Sequence, residues 1–120
     1  MPIAISYLRG DISKLNQPWH ESRLRSLAGR FGFEYSKTIV FTRTDPDRMS
    51  RLLHEANRAE AEAIFTPTLA HLDYPDLDTL LVEAAHLRIH SIITWNPMFT
   101  YQLDNREPRP HNLRRIIRRR

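Results

Sequence analysis

The stretch IAISYLRGD at residues 3–11 decides how the chain is expected to fold. Its apolar, β-favouring first part has the length of a strand and is too short for a helix of normal length. Gly10 lets the backbone turn directly after Arg9. Open parallel sheets keep their ligand crevice beyond the carboxyl ends of the strands, so Arg9 and Asp11 are candidate site residues. The alternative is an ordinary charged surface turn.

Strands and helices alternate along the following residues. Further strands are predicted at residues 38–42, 63–66 and 91–95; helices are predicted from Pro18 to near Gly29 and Gly32, from Asp45 and Pro46 to Glu60, and from Pro75 or Asp76 onwards. Because such units form right-handed crossovers, we expect a three-layer α/β/α fold with a four-stranded, mainly parallel sheet. The uniformly apolar first, third and fourth strands favour the flavodoxin-like order 2-1-3-4, with the first strand central.

The positive charge lies at one end of the chain. The net charge is +4, yet residues 106–120 hold seven arginines and one glutamate, a local charge of +6. We therefore divide the chain into an α/β domain at residues 1–95 and a proline-interrupted, arginine-rich tail at residues 96–120, whose residues 111–120 could form a short basic helix. Such a block attracts DNA or RNA by counterion release, and the alternative is a solvated tail. The candidate nucleic-acid-binding residues are Arg106, Arg109, Arg114, Arg115, Arg118, Arg119 and Arg120.

Several classes of protein and of site are disfavoured. The chain has no cysteine, which excludes disulfides and thiolate metal sites. No apolar run reaches membrane-spanning length and no signal-peptide pattern is present, so we expect a cytoplasmic protein with no membrane partner. No glycine-rich phosphate loop follows the first strand, and the pair His86 and His90 has no complete metal-ligand pattern around it. We expect neither cofactor nor metal.

The order of residues resembles the catalytic domain of the serine recombinases, the resolvase/invertase family. A strand ends in Tyr7-Leu8-Arg9, and a helix carries Leu24, Ala28 and Gly32 at four-residue steps. Residues 61–72, AEAIFTPTLAHL, resemble that family's third strand and the loop after it. The resemblance covers residues 3–95 and implies a resolvase-like fold, a role in DNA recombination and a homodimer. The family's long dimerising helix and its helix-turn-helix are not evident after residue 95.

At the site that the resemblance implies, the sequence departs from the family. The nucleophilic serine of the family stands two residues after the arginine, where this chain has Asp11, and the spacing leaves no room for an insertion that would bring Ser13 there. The family's phosphate-binding Asp-Arg pair and further arginine fall at about Ala70, His71 and Tyr74. Phosphodiester transesterification needs a nucleophile and several guanidinium groups. The vestigial site residues are Arg9, Asp11 and His71, and we expect no catalysis.

Three hypotheses for function remain open. The leading one is a catalytically inactive recombinase-like domain that acts as a nucleic-acid-associated or protein-interaction module. A second is a small-ligand-binding or regulatory domain, with a pocket lined by Arg9, Asp11, Thr66, Thr68 and Trp95. A third is a divergent DNA recombinase or hydrolase that uses Asp11, Arg9 and His71 in new roles.

Overall fold

A six-stranded sheet runs through the computed structural model, which describes residues 1–72, 77–103 and 115–119. The strands are β1 (Ile3–Arg9), β2 (Glu34–Phe41), β3 (Ala61–Thr66), β4 (Ser91–Trp95), β5 (Met98–Leu103) and β6 (Arg115–Arg119). The helices are α1 (Gly10–Ser13), α2 (Gln17–Arg30), α3 (Arg48–Arg58) and α4 (Leu77–His86), with 3-10 turns at Lys14–Asn16 and Leu69–His71. The strand order is β2-β1-β3-β4-β5-β6; the first four strands run parallel and the last two pair antiparallel.

The α/β class and the order 2-1-3-4 of the first four strands are confirmed; β1 lies between β2 and β3, but the two further strands make it the second strand from one edge rather than the centre of the sheet. The number of strands was predicted wrongly. Asn96 and Pro97 form a turn, after which β5 pairs back along β4, so the sheet continues past residue 95. The short basic helix predicted at residues 111–120 is also wrong, because β6 pairs with β5 from Phe99↔Arg119 to Leu103↔Arg115. A proline between two extended segments marks a turn as readily as an end.

Helices cover both faces of the sheet. Ala4 and Leu8 of β1 pack with apolar residues of α2, whereas Ile5 and Tyr7 pack with those of α3 and α4. This division follows from the alternation of side chains along a strand. Full burial of a leucine such as Leu24 stabilises the fold by roughly 1.5–3 kcal/mol. Within the described residues, no helix is long and apolar enough to span a membrane.

Helix α2 begins and ends as its sequence predicts. Pro18 stands in its first turn, where a missing N–H is not needed. At the other end Gly32 adopts a left-handed φ of 85°. The N–H of Phe33 donates to the carbonyl of Ala28 at 2.9 Å and that of Gly32 to Gly29 at 3.0 Å. These two hydrogen bonds satisfy carbonyl groups in the last turn of the helix, and the chain then turns into β2.

Some boundaries differ from the prediction. β2 begins at Glu34, before the predicted residue 38, because this edge strand exposes Glu34 and Ser36 and so lacks a continuous apolar run. α3 begins at Arg48, after Asp47 adopts a left-handed φ of 51°, and not at Asp45. The polar stretch after Asp11 is helical in α1 and in the 3-10 turn that follows it. The start of α4 predicted at Pro75 or Asp76 lies outside the described residues.

The chain reverses its direction of winding beside β1. It reaches β2 through α2 on one face of the sheet and β3 through α3 on the other. At such a switch point the loops after the two neighbouring strands diverge and leave a crevice at the carboxyl ends of the strands. The residues that follow β1 and β3 therefore meet at this edge of the sheet.

Candidate functional site at the switch point

Arg9 and Asp11 form a two-pronged ion pair at the end of β1. The Nε and Nη2 atoms of Arg9 donate to Oδ1 and Oδ2 of Asp11 at 2.9 and 2.7 Å. The Arg9 side chain is 11% exposed. Its hydrogen bonds lower the pKa of Asp11 to about 2, against an opposing effect of desolvation. Asp11 is therefore a carboxylate at all ordinary pH values, and the guanidinium of Arg9 is engaged by it.

The helical turn α1 places these two side chains together. It begins at Gly10, directly after β1, and turns Asp11 back beside Arg9. A Cβ on Gly10 would lie 3.4 Å from Cγ1 of Val40 and 3.4 Å from Oε1 of Gln17. Both distances correspond to ordinary van der Waals contact, so α1 begins against the side chains of Val40 and Gln17.

His71, at the end of the 3-10 turn after β3, closes the crevice. Its Nδ1 accepts a hydrogen bond of 2.9 Å from the backbone N–H of Arg9. Because that N–H can only donate, neutral His71 carries its proton on Nε2. The residue is 2% exposed, and burial lowers its pKa to about 4, with further contributions from His20 and Arg9. His71 is therefore uncharged at neutral pH.

A serine and a second histidine stand beside this group. Oγ of Ser13, the last residue of α1, lies 2.7 Å from Nδ1 of His20 in α2. Burial lowers the pKa of His20. A serine hydrogen-bonded to an imidazole is the arrangement of a nucleophile and its base. Ser13 is 1% exposed, however, so this structure holds it closed to a substrate.

Three aromatic side chains, Trp19, His20 and Trp95, form a cluster that we call the aromatic platform. The ring centroids of Trp19 and Trp95 lie 5.1 Å apart at an interplanar angle of 66°, and that of His20 lies 5.4 Å from Trp95. The guanidinium carbon of Arg23 lies 5.7 Å from the Trp95 ring centroid. The rings of His20 and His71 are 6.1 Å apart. The platform therefore adjoins the crevice beside Arg9.

The structure brings together some of the predicted site residues. Arg9, Asp11 and His71 are in direct contact, and Trp95 adjoins them through His20. Thr66 is fully buried, and its Oγ1 has no hydrogen-bond partner in the described part of the chain.

The remaining predicted residues have local roles, belong to the edge strand or lie outside the described residues. Oγ1 of Thr68 accepts a bond of 3.2 Å from the N–H of Ala70 and so begins the 3-10 turn. The strand β6, which contains Arg115, Arg118 and Arg119, is an edge of the sheet. The residues outside the described ranges are Tyr74, Arg106, Arg109, Arg114 and Arg120.

Of the three platform residues, only Trp95 was predicted from the sequence as a site residue. Ser13 was set aside as a nucleophile, and Trp19, His20 and Arg23 were given no role. One signal could have indicated them: Pro18 begins the helix, so the next two residues belong to a first turn near the carboxyl ends of the strands, where Trp95 also stands. Nothing in the sequence predicts the distance between them.

No metal site accompanies this cluster. Across the three described ranges, no three His, Asp or Glu side chains lie close enough together to hold a metal ion. His86 ends α4, and Nε2 of His90 lies 3.7 Å from Oε1 of Glu62. His90 therefore lies beyond the end of the helix, and the two histidines do not share a helix face.

The arrangement suits binding better than bond making. The guanidinium of Arg9 is bound by Asp11, and His71 is neutral. The hydroxyl of Ser13, which lies beside His20, is buried. Aromatic rings with an arginine beside them can still recognise a planar or anionic ligand. Comparison with known proteins adds no assignment: no family model, no curated protein and no solved structure matches this chain.

Proposed function

We propose that this protein is a catalytically inactive, serine-recombinase-like domain that associates with nucleic acid through its arginine-rich C-terminal residues. The observation that carries the proposal is the ion pair between Arg9 and Asp11. In the family that the sequence resembles, the nucleophilic serine stands two residues after that arginine, at the position of Asp11. Here the two side chains bind each other.

The negative charge of Asp11 supports the proposal that this site does not catalyse phosphoryl transfer. A phosphate beside Asp11 would meet a carboxylate whose pKa is about 2. The carboxylate repels a phosphate, and the guanidinium of Arg9 that could offset this repulsion is already bound to Asp11. His71 offers no positive charge to offset this repulsion, because its pKa of about 4 keeps it neutral.

Charge at the other end of the chain supports association with nucleic acid. Residues 106–120 carry +6 whereas the whole chain carries +4, so the rest of the protein is slightly acidic. Part of this charge belongs to β6, an edge strand. Charged edge strands resist pairing with other sheets, which leaves the basic edge to partners of opposite charge. Each phosphate that it neutralises releases a counterion and makes binding depend on salt.

The test measures binding to labelled single-stranded and duplex oligonucleotides by fluorescence anisotropy, from about 50 to 200 mM salt. We expect affinity for both to fall steeply with salt and to depend little on sequence. The variant with Arg115→Gln, Arg118→Gln and Arg119→Gln should flatten the plot of log affinity against log salt by about two to three units for duplex.

A control variant removes the same charge elsewhere. Arg30, Arg58 and Arg88 are exposed on or after the helices, and their replacement by glutamine lowers the net charge equally. The control should keep most of the salt dependence. Equal binding by the two variants at low salt, or covalent attachment of the native chain to nicked DNA, would contradict the proposal.

A further inference from the structure

We propose that the aromatic platform, together with Arg23, is a stacking site for an unpaired nucleobase that carries a phosphate. Such a ligand is either a free nucleotide or a base in a single strand of nucleic acid. The second source rests on the proposed function, whereas the first is independent of it.

Exposure of Trp19 is the first observation. This indole, in the first turn of α2, is 57% exposed although its ring also contacts Trp95 and His20. A single exposed apolar side chain is ordinary on a protein surface. An exposed tryptophan that contacts further aromatic rings forms a larger aromatic surface, which a ligand can contact. Every nucleobase has a face that can stack on an indole.

Hydrogen bonds within the protein fix the backbone that carries Trp95. The backbone N–H groups of Trp95 and Asn96 both donate to the carbonyl of Pro67, at 3.2 and 2.9 Å. The hydrogen bond between Ser13 and His20 engages Nδ1 of the imidazole and leaves Nε2 outside that contact. A preformed surface loses little conformational freedom on binding.

Arg23 determines the charge of the ligand. Its guanidinium lies over Trp95 and already takes up the interaction that an aromatic cage would give to a cation. A quaternary ammonium ligand would meet a like charge there. A phosphate attached to the stacked base would meet an opposite one, which favours a nucleotide over a neutral sugar or a methylated amine.

Intrinsic fluorescence reports on this site alone. The chain has two tryptophans, Trp19 and Trp95, and both belong to the platform. Titration with adenosine monophosphate or with an unlabelled single strand should therefore quench the emission. A duplex of the same sequence should leave it nearly unchanged, because its bases are already stacked on each other.

Variants separate stacking from other ways of binding. Trp19→Ala removes an exposed side chain, so circular dichroism should stay native while affinity falls about 5- to 100-fold, the effect of losing one stacked base. Leu15→Ser changes a side chain that is 98% exposed, four residues before Trp19, and should leave affinity unchanged. Arg23→Gln should weaken binding and reduce its salt dependence. The guanidinium of Arg25 lies over Tyr35 instead, so Arg25→Gln should leave both unchanged.

Each outcome decides between the sources or against the site. Quenching by the nucleotide without binding of any oligonucleotide would keep this site and overturn the proposed function. Binding of oligonucleotides through the C-terminal arginines, with no change in fluorescence from either the single strand or adenosine monophosphate, would keep the proposed function and overturn this site. Equal affinity of Trp19→Ala and the native chain, an equal loss from Leu15→Ser, or quenching by a tetraalkylammonium ion alone would also overturn it.

Discussion

Arg9 donates two hydrogen bonds, of 2.9 and 2.7 Å, to the carboxylate of Asp11 at the end of β1. The backbone N–H of the same arginine donates to His71, so one residue ties β1 to the turn after β3. The crevice is thereby closed by a charge-balanced pair and a neutral imidazole. Substitution of Asp11 and titration of His71 therefore test the two parts of this site separately.

Replacing Asp11→Ser should not create a recombinase. The change would release the guanidinium of Arg9, yet His71 would remain neutral and Ala70 offers no charge to a phosphate. Charge that develops at phosphorus would therefore stay largely uncompensated. We expect no covalent adduct with a nicked DNA substrate on a denaturing gel, from this variant or from the native chain. An adduct formed by the variant alone would show that the serine position is sufficient.

The stability of the protein should fall as the pH drops from about 6.5 to about 4. Native His71 has a pKa of about 4, whereas an unfolded histidine has one of about 6.5. Between these values the unfolded chain binds a proton that the native protein does not, so the free energy of unfolding falls by up to about 3 kcal/mol. Urea unfolding at about pH 7 and pH 4.5 measures the change.

His71→Gln should remove much of that pH dependence, because glutamine does not titrate. His20, whose pKa is also lowered by burial, should leave a smaller slope of the same sign. The exposed His54 offers a matched control, and His54→Gln should retain the full slope. A native protein equally stable at both pH values would contradict the assignment.

The sequence predicts the centre of the sheet better than its edges. Strand β4 has the predicted bounds, because a strand buried on both faces reads as an unbroken apolar run. β2 and β5 have mixed polar and apolar residues, and Pro97 was taken as an end although it forms part of a turn. The segment RIIRR of β6 is too short for its periodicity to distinguish a strand from a helix.

The site residues at strand ends were also easier to predict than those in short helical turns. Arg9, Asp11 and His71 follow directly from the strands that they end, so the sequence predicts their meeting. The contact of Ser13 with His20 depends on a one-turn helix and a 3-10 turn that fold the chain back on itself. Elements that short carry no hydrophobic period, and local sequence gives no distance across them.

The same substitution should have opposite effects at two glycines of one helix end. Gly29 lies inside α2 with nothing within 4 Å of an added Cβ, so Gly29→Ala should stabilise the protein by about 0.5–1 kcal/mol. Gly32 has a φ of 85°, and an alanine there should cost about 1 kcal/mol through steric strain. Urea unfolding of the two variants checks the signs. A stabilised Gly32→Ala protein would contradict the helix end described above.

Deleting residues 114–120 should do two things that a charge substitution separates. β6 pairs with β5 over five residues, and the loss of such a ladder should lower the free energy of unfolding by about 2–4 kcal/mol. It should also leave β5 as an unpaired edge and promote self-association, which analytical ultracentrifugation would detect. Loss of nucleic-acid binding by this deletion alone would not identify the arginines as its cause.

The variant with glutamine at positions 115, 118 and 119 keeps the backbone and removes the charge. Because the β5–β6 backbone ladder is retained, its free energy of unfolding should stay closer to that of the native protein than the deletion's does, while its affinity for DNA falls. The two variants should therefore differ in stability, with the deletion the less stable protein, while both bind DNA weakly. A deletion that unfolds like the native chain would show that β6 adds no stability to the sheet. If that deletion also bound DNA like the native chain, the basic edge would have no role in binding either.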